Sequence, residues 1–278
     1  MIATLARWLI RMQCYYLSGI ILTLVSKLAG SGCQISYDRK GYWKHRTRTG
    51  VIINEAFPNI RMDMTALEKF NDDIYFFAYQ PQEGDLCLDI GAGIGTETIS
   101  LSKRVGALGK IYAVEASPFT YKILEANVLE NNLKNVELFN LAISDRDGKL
   151  TISDHTESHI SNSVMNARTG AKTNGSATEV DACSMDNFIR NNAIARIDYL
   201  KVNIEGAEQL LIRDFKQVAN TRHLAISCHD FLGRRQGDPS LFTREAVSAF
   251  LQTSGFRIET RNTGTDYADD WIYGVNER

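Results

Sequence analysis

From about residue 65 onward, the apolar positions of this 278-residue chain fall into two alternating rhythms. Short, nearly continuous apolar runs at Leu86–Ile90, Lys110–Val114, 136–143, 199–205 and 224–228 predict strands buried on both faces. The stretches between them predict helices at 65–79, Thr96–Val105, 119–131 and 208–215, with Leu67, Phe70, Ile74 and Phe77 or Ala78 marking the apolar face of the first. Pro81 and Gly84 end that first helix, while Ser117 and Pro118 open the third. This alternation is the mark of an α/β protein, a mostly parallel sheet with helices on both faces. Two final runs, Phe256–Thr260 and 270–275, read as an antiparallel edge pair.

Other stretches break the rhythm. Residues 12–26 carry no charge and include Tyr15, Tyr16, Ile20, Ile21, Leu22, Leu24 and Val25, flanked by Arg7, Arg11 and Lys27. They fall short of the ~20 residues a spanning helix needs. A signal peptide fits poorly with a domain that needs a cytosolic cofactor. Two readings stay open: a helix packed on the domain or on a second copy in a homodimer, and a helix lying on a membrane surface through residues 1–30. From 39 to 61 the chain is mixed and polar, with Trp43, Lys44, His45, Arg46 and Arg48 in a small basic patch. It reads as a solvated hairpin, with contact to an anionic lipid or substrate as the alternative. After a turn at 145–148, residues 149–153 pair back as a short strand. The polar stretch 154–178, with His155 and His159, reads as a substrate-covering loop or as surface disorder. The chain thus divides into 1–60, an N-terminal helix with a polar connection, and 61–278, the domain that carries the chemistry.

Within that domain, the strand Leu86–Ile90 runs into Gly91, Gly93 and Gly95. Glycines let the chain bend sharply and leave main chain open to a ligand, and the helix that follows turns free N–H groups toward it. Twenty residues beyond Gly95, Glu115 ends the neighbouring strand, where a carboxylate grips a ribose diol. A dinucleotide fingerprint needs glycines at the first, third and sixth positions; here they occupy the first, third and fifth, with Thr96 in the sixth. That spacing favours S-adenosylmethionine over NAD. A second rim is built by Asn203, Glu205, His229 and Asp230, which end two further strands.

Composition narrows the field without naming a function. Lys and Arg total 31, Asp and Glu 33, and the net charge of −2 offers nothing to nucleic acid. Five scattered cysteines with no Cys-x-x-Cys pair argue against structural zinc and a disulfide framework, so reduced thiols in the cytoplasm, or at the cytoplasmic membrane face, are expected.

Two segments together resemble the FkbM family of S-adenosylmethionine-dependent methyltransferases. The first runs from Gly84-Asp85 through Asp89 to the glycine turn. The second is Asp198-Tyr199-Leu200-Lys201-Val202-Asn203-Ile204-Glu205-Gly206-Ala207-Glu208, close to the family's D-x-x-K-x-D-x-E-G-A-E. The resemblance covers roughly 72–231 and, more loosely, the C-terminal strands. It implies a Rossmann-like class I methyltransferase sheet of seven strands with an antiparallel last strand. It also implies cofactor contacts from Asp89, Gly91, Ala92, Gly93, Gly95, Thr96, Glu115, Ala116, Ala142 and Asn203. Asn203 departs from the family's aspartate, which weakens any metal role and keeps open a catalytically inactive partner subunit. An NAD-dependent oxidoreductase ranks below both. The implied acceptor is a hydroxyl of a sugar, glycan, lipid-linked molecule or secondary metabolite. Glu205 and His229 are the candidate catalytic groups, since an ordinary imidazole takes a proton near neutrality. A metal held by Glu205, His229 and Asp230 is a second route. His155 and His159 are candidate substrate contacts.

Overall fold

The computed structural model describes residues 8–38, 40–55, 58–154, 163–164 and 176–277. Its first elements are a helix α1 (Tyr15–Leu28) and three antiparallel strands, β1 (Gln34–Tyr37), β2 (Trp43–Arg46) and β3 (Val51–Asn54). A helix α2 (Met64–Ile74) leads into β4 (Leu86–Ile90), α3 (Thr96–Val105), β5 (Lys110–Val114), α4 (Pro118–Glu130) and β6 (Val136–Phe139). Next come β7 (Ala142–Ser144), β8 (Gly148–Asp154), β9 (Ser163–Val164), β10 (Ser176–Ser184) and α5 (Met185–Asn191). The chain closes with β11 (Ile197–Val202), α6 (Glu208–Arg213), β12 (Thr221–Ser227), α7 (Asp230–Gln236), α8 (Arg244–Thr253), β13 (Phe256–Thr260) and β14 (Trp271–Asn276).

The main sheet has seven strands in the order β13-β14-β12-β11-β4-β5-β6, parallel from β12 to β6, with β14 antiparallel to both neighbours. Starting from β4 the chain works outward through β5 and β6, then returns to lay β11 on the other side of β4. Ligands bind where the strand order reverses, at the carboxyl ends of β4 and β11. Every residue of β11 is buried, as expected of a central parallel strand.

Four expectations need correction. The helix expected over 65–79 stops at Ile74, because Tyr273 and Tyr199 donate their hydroxyls to the carbonyls of Ile74 and Tyr75 and so satisfy its last turn from outside. The single strand expected over 136–143 breaks at Asn140, whose Nδ2 donates to the carbonyls of Glu115 (2.8 Å) and Ala116 (3.1 Å). β7 then leaves the main sheet and pairs with β10 in a second sheet ordered β7-β10-β8-β9. The short strand expected over 149–153 is present as β8, paired with β10 and β9; the third correction is that β10 occupies the end of the segment expected to be irregular, most of which, with His155 and His159, lies outside the described residues.

The fourth correction concerns 39–61, expected as a solvated hairpin. Its sheet buries Trp43, His45, Val51, Ile52 and Ile53, while Lys44 and Arg46 pair with Glu130 of α4. The open edge of β3 is closed by side chains. Asn127 accepts from the amide of Ile53 (2.7 Å) and donates to its carbonyl (2.9 Å), and Asn131 does the same for Val51 (2.9 and 2.7 Å). Residues two apart on a strand advance about 6.7 Å and residues four apart on a helix about 6 Å, so the two amides imitate a neighbouring strand. Helix α1 lies on β1, with Thr23 Oγ1 accepting from the Ile35 amide (2.8 Å) and donating to its carbonyl (3.0 Å). Among the described residues no helix is long and apolar enough to cross a membrane.

Candidate active site

The glycine turn follows β4 because no side chain fits there. Gly91 has φ 71°, and a Cβ on it would collide with the carbonyl of Asn203. The amides of Gly91 and Ala92 both donate to the Val114 carbonyl (2.9 Å each), pinning the turn to β5. Gly93 faces open space, so its bare main chain offers a cradle. At the tip of β5, Glu115 accepts from the amides of Gly93 and Ser117 (2.9 Å each). Burial pushes its pKa up to about 7, against the opposing pull of those two amides and of Lys201.

These groups border a cavity of about 420 Å³ at the sheet's reversal point. Of the residues expected from sequence, Gly91, Gly93, Thr96, Glu115, Ala116, Ala142, Asn203 and Glu205 line it. Asp89, Ala92 and Gly95 lie behind the wall. Asp89 is fully buried, accepts from Thr98 Oγ1 (2.7 Å) and pairs with Lys201 Nζ (2.9 Å), so it holds a neighbour rather than facing a ligand. Gly95 opens α3 at φ 92°, where a Cβ would press on Leu124.

Lys201 is the residue that sequence reasoning missed. It stands inside an apolar strand, lines the cavity and donates to the Gly91 carbonyl (2.7 Å). Burial lowers its pKa, but Asp89, Glu97 and Glu115 more than offset that, and the net shift is upward. The lysine therefore stays a cation and fixes the first turn residue from below. Its signal was visible: a lysine within a run otherwise suited to a doubly buried strand needs a buried carboxylate nearby. Phe70 and Tyr75 also line the cavity, and Phe70, read from its spacing as a core position, is 40% exposed.

On the second rim, Glu205 (φ 53°) and His229 (φ 56°) are both non-glycine residues in the left-handed region. His229 is buried just outside the cavity wall, with Nδ1 2.9 Å from Glu208 Oε1 and Nε2 3.6 Å from Glu205 Oε2. Burial works to lower its pKa, yet Glu208 and Glu205 together raise it to about 10. The imidazole expected to accept a proton near neutrality is thus held toward its protonated form by the two glutamates. Asp230 does not join the rim: its carboxylate accepts from the amides of Thr243 (2.9 Å) and Arg244 (3.0 Å). Among the described residues no three His, Cys, Asp or Glu side chains converge as a metal-ligand set.

Residues 89–257 match the family model described as the methyltransferase FkbM domain. The chain belongs to the FkbM methyltransferase family. Shorter matches link this FkbM protein to two curated proteins. One is the probable cobalt-precorrin-6B C(15)-methyltransferase (decarboxylating) of Sulfolobus acidocaldarius, 39% identical over 51 residues, which are 18% of this chain and 27% of that protein. The other is the probable ribosomal RNA small subunit methyltransferase A of Methanosphaera stadtmanae, 35% identical over 57 residues, 20% of each. The chain therefore spans 27% of the first of these curated relatives and 20% of the second. Among solved structures it is similar to the O-methyltransferase from Bacillus cereus in complex with SAH (14% identity, 77% of this chain and 80% of that one, TM-score 0.47). It is also similar to Aeropyrum pernix fibrillarin with bound S-adenosyl-L-methionine (14% identity, 87% and 97%, TM-score 0.42). S-adenosylmethionine is the cofactor of this methyltransferase family, and the residues present suit it: an open cradle at Gly93, a carboxylate at the tip of β5 and a cavity between them.

Proposed function

We propose that this methyltransferase acts on a hydroxyl of a sugar, glycan, lipid-linked molecule or secondary metabolite, with Glu205 as the proton acceptor and His229 as the residue that positions it. The observation that carries this reading is Glu205 itself. It borders the cavity, and a strained backbone and a buried imidazolium hold it there. When bound, S-adenosylmethionine supplies an electrophilic methyl group. Glu115, backed by the Gly93 amide, would hold the ribose, and Leu141 and Ala142 would offer apolar surface to the purine. Lys201 keeps the Gly91 carbonyl in place. Phe70 and Tyr75 exclude water from one wall of the cavity. As the acceptor hydroxyl's O–H bond breaks, Glu205 takes the proton while His229, protonated and tied to Glu208, keeps that carboxylate oriented. Such positioning contributes up to ~7–11 kcal/mol and a placed base roughly 10²–10⁴-fold in rate.

Glu205→Gln tests the base. Turnover is expected to fall by roughly 10²–10⁴-fold with calorimetric S-adenosylhomocysteine affinity retained; unchanged turnover removes Glu205 from the chemistry. Mass spectrometry of hydroxylated acceptors then reads the gain of one methylene. Cofactor binding with no such gain in any acceptor would leave the chain a non-catalytic partner subunit.

A further inference from the structure

Helix α1 is amphipathic the wrong way round for a helix facing water. The residues it buries are Ser18, Gly19, Leu22 and Ser26, and those it exposes include Tyr16 (84%), Leu17 (48%), Ile20 (42%), Leu24 (54%) and Leu28 (84%). At about 100° per residue, the five exposed side chains fall within an arc of about 120° and the four buried ones within the opposite half of the helix. The inversion is built in. The Ser18 hydroxyl donates to the Cys14 carbonyl (2.9 Å), Ser26 Oγ lies 2.6 Å from Ser31 Oγ, and Gly19 brings the helix so close to β1 that a Cβ would sit 2.9 Å from the Ile35 carbonyl oxygen. Small and satisfied polar groups thus clamp one face to the protein, and the large apolar side chains are left to face outward. With Trp8 and Met12 just ahead of it, this surface holds seven of the thirteen exposed large hydrophobics among the described residues, so it is a patch and not scatter.

We propose that this face docks on the surface of an anionic lipid bilayer. No Asp or Glu occurs before Asp38, whereas Arg7, Arg11 and Lys27 do. A second copy using the same patch would set Arg11 and Lys27 against their own copies across a two-fold axis, and the helix itself carries no carboxylate to meet them. Anionic headgroups supply that charge, and Trp8 and Tyr16 suit the headgroup boundary. A helix of 14 residues is about 21 Å long, short of a ~30 Å hydrocarbon core, so it lies in the plane of the surface. The asparagine clamp on α4 connects this surface rigidly to the glycine turn, since Asn127 Nδ2 also donates to the Ile94 carbonyl (2.8 Å). The inference is independent of the role given to Glu205.

Flotation of the full chain with vesicles tests it. The protein is expected to float with phosphatidylcholine–phosphatidylglycerol vesicles at low salt and to remain below pure phosphatidylcholine ones. The triple variant L17Q/I20Q/L24Q is expected to lose ~100-fold in partition, the combined effect of three partly inserted apolar side chains. All three positions are exposed, so S-adenosylhomocysteine binding by the variant should equal that of the parent chain. No flotation with anionic vesicles, equal flotation with both compositions, or undiminished flotation of the triple variant would each overturn the proposal. So would a sedimentation-velocity dimer that the triple variant dissociates.

Discussion

The N-terminal sheet and the main sheet each bury a histidine, and the two are held in opposite charge states. His45 on β2 is wholly buried, with Nε2 accepting from the Asn59 amide (3.1 Å), and burial pushes its pKa down to about 4 against a backbone hydrogen bond at Ile52. His229 is buried almost as completely, yet Glu208 and Glu205 drive it up to about 10. Burial acts in the same direction on both. What separates them is the company of carboxylates: backbone groups surround His45, while two glutamates flank His229. One region uses its histidine as a neutral structural bracket, and the other holds its histidine toward the protonated form beside the cavity.

The two regions meet at Asn127, and removing that side chain should have the largest effect. Asn127→Ala leaves the Ile53 amide, the Ile53 carbonyl and the Ile94 carbonyl without their partner, all in a buried setting. At ~1–3 kcal/mol for each of these three buried groups left unsatisfied, the loss should reach about 3–9 kcal/mol in chemical denaturation. Because Ile94 belongs to the glycine turn, S-adenosylhomocysteine affinity should fall as well. Retained affinity in a destabilised variant would show that the N-terminal sheet and the cofactor site are independent.

The histidines themselves predict opposite pH behaviour. The unfolded chain protonates His45 near 6.5 and the folded chain only near 4, so its neutral form stabilises the fold fully above pH 6.5. That contribution declines as pH falls from 6.5 toward 4, by about 3 kcal/mol at one unit per 1.36 kcal/mol. His229 runs the other way: its stabilisation is complete below 6.5 and is lost as pH rises toward 10. Urea unfolding at pH 7 and pH 4.5 should therefore show the N-terminal sheet failing first in acid. His45→Gln, which keeps an acceptor but cannot titrate, should flatten the acid limb. An acid limb unchanged in that variant would assign it to carboxylates instead.

How far each region could be read from sequence follows the same division. The glycine turn, Glu115 and the segment from Lys201 to Glu208 are local patterns whose chemistry needs no knowledge of distant partners, and the main sheet's apolar runs name their own strands. The N-terminal strands are four residues long with charged side chains among them, and their edge is completed by Asn127 and Asn131 some 80 residues away. β10 is a strand of polar and small residues, Ser176 to Ser184, that pairs back on β8 and lacks an apolar run of its own. The inverted face of α1 has an apolar composition that fits burial as well as exposure, and only contact with β1 shows which half turns outward. Lys201 was in plain view in its motif, but its role depends on Asp89 standing opposite it on the neighbouring strand.

His229's charge was the least legible feature, since it depends on carboxylates 21 and 24 positions earlier in the chain, and it supports the finest test of the comparison. Glu208→Gln removes the closer carboxylate and leaves Glu205 in place, so the His229 environment shifts one step toward that of His45. Its titration, followed by NMR of the imidazole, should move down from near 10 toward the ordinary 6.5. If His229 orients Glu205 only as a cation, the alkaline limb of the pH–turnover profile should move down with it. One pH unit above the new midpoint, the cation population, and with it turnover, should be about tenfold lower. A purely structural histidine would lower stability in this variant while leaving the profile's midpoint where it was. The midpoint therefore distinguishes an imidazolium that positions the base from one that merely fills the space behind it.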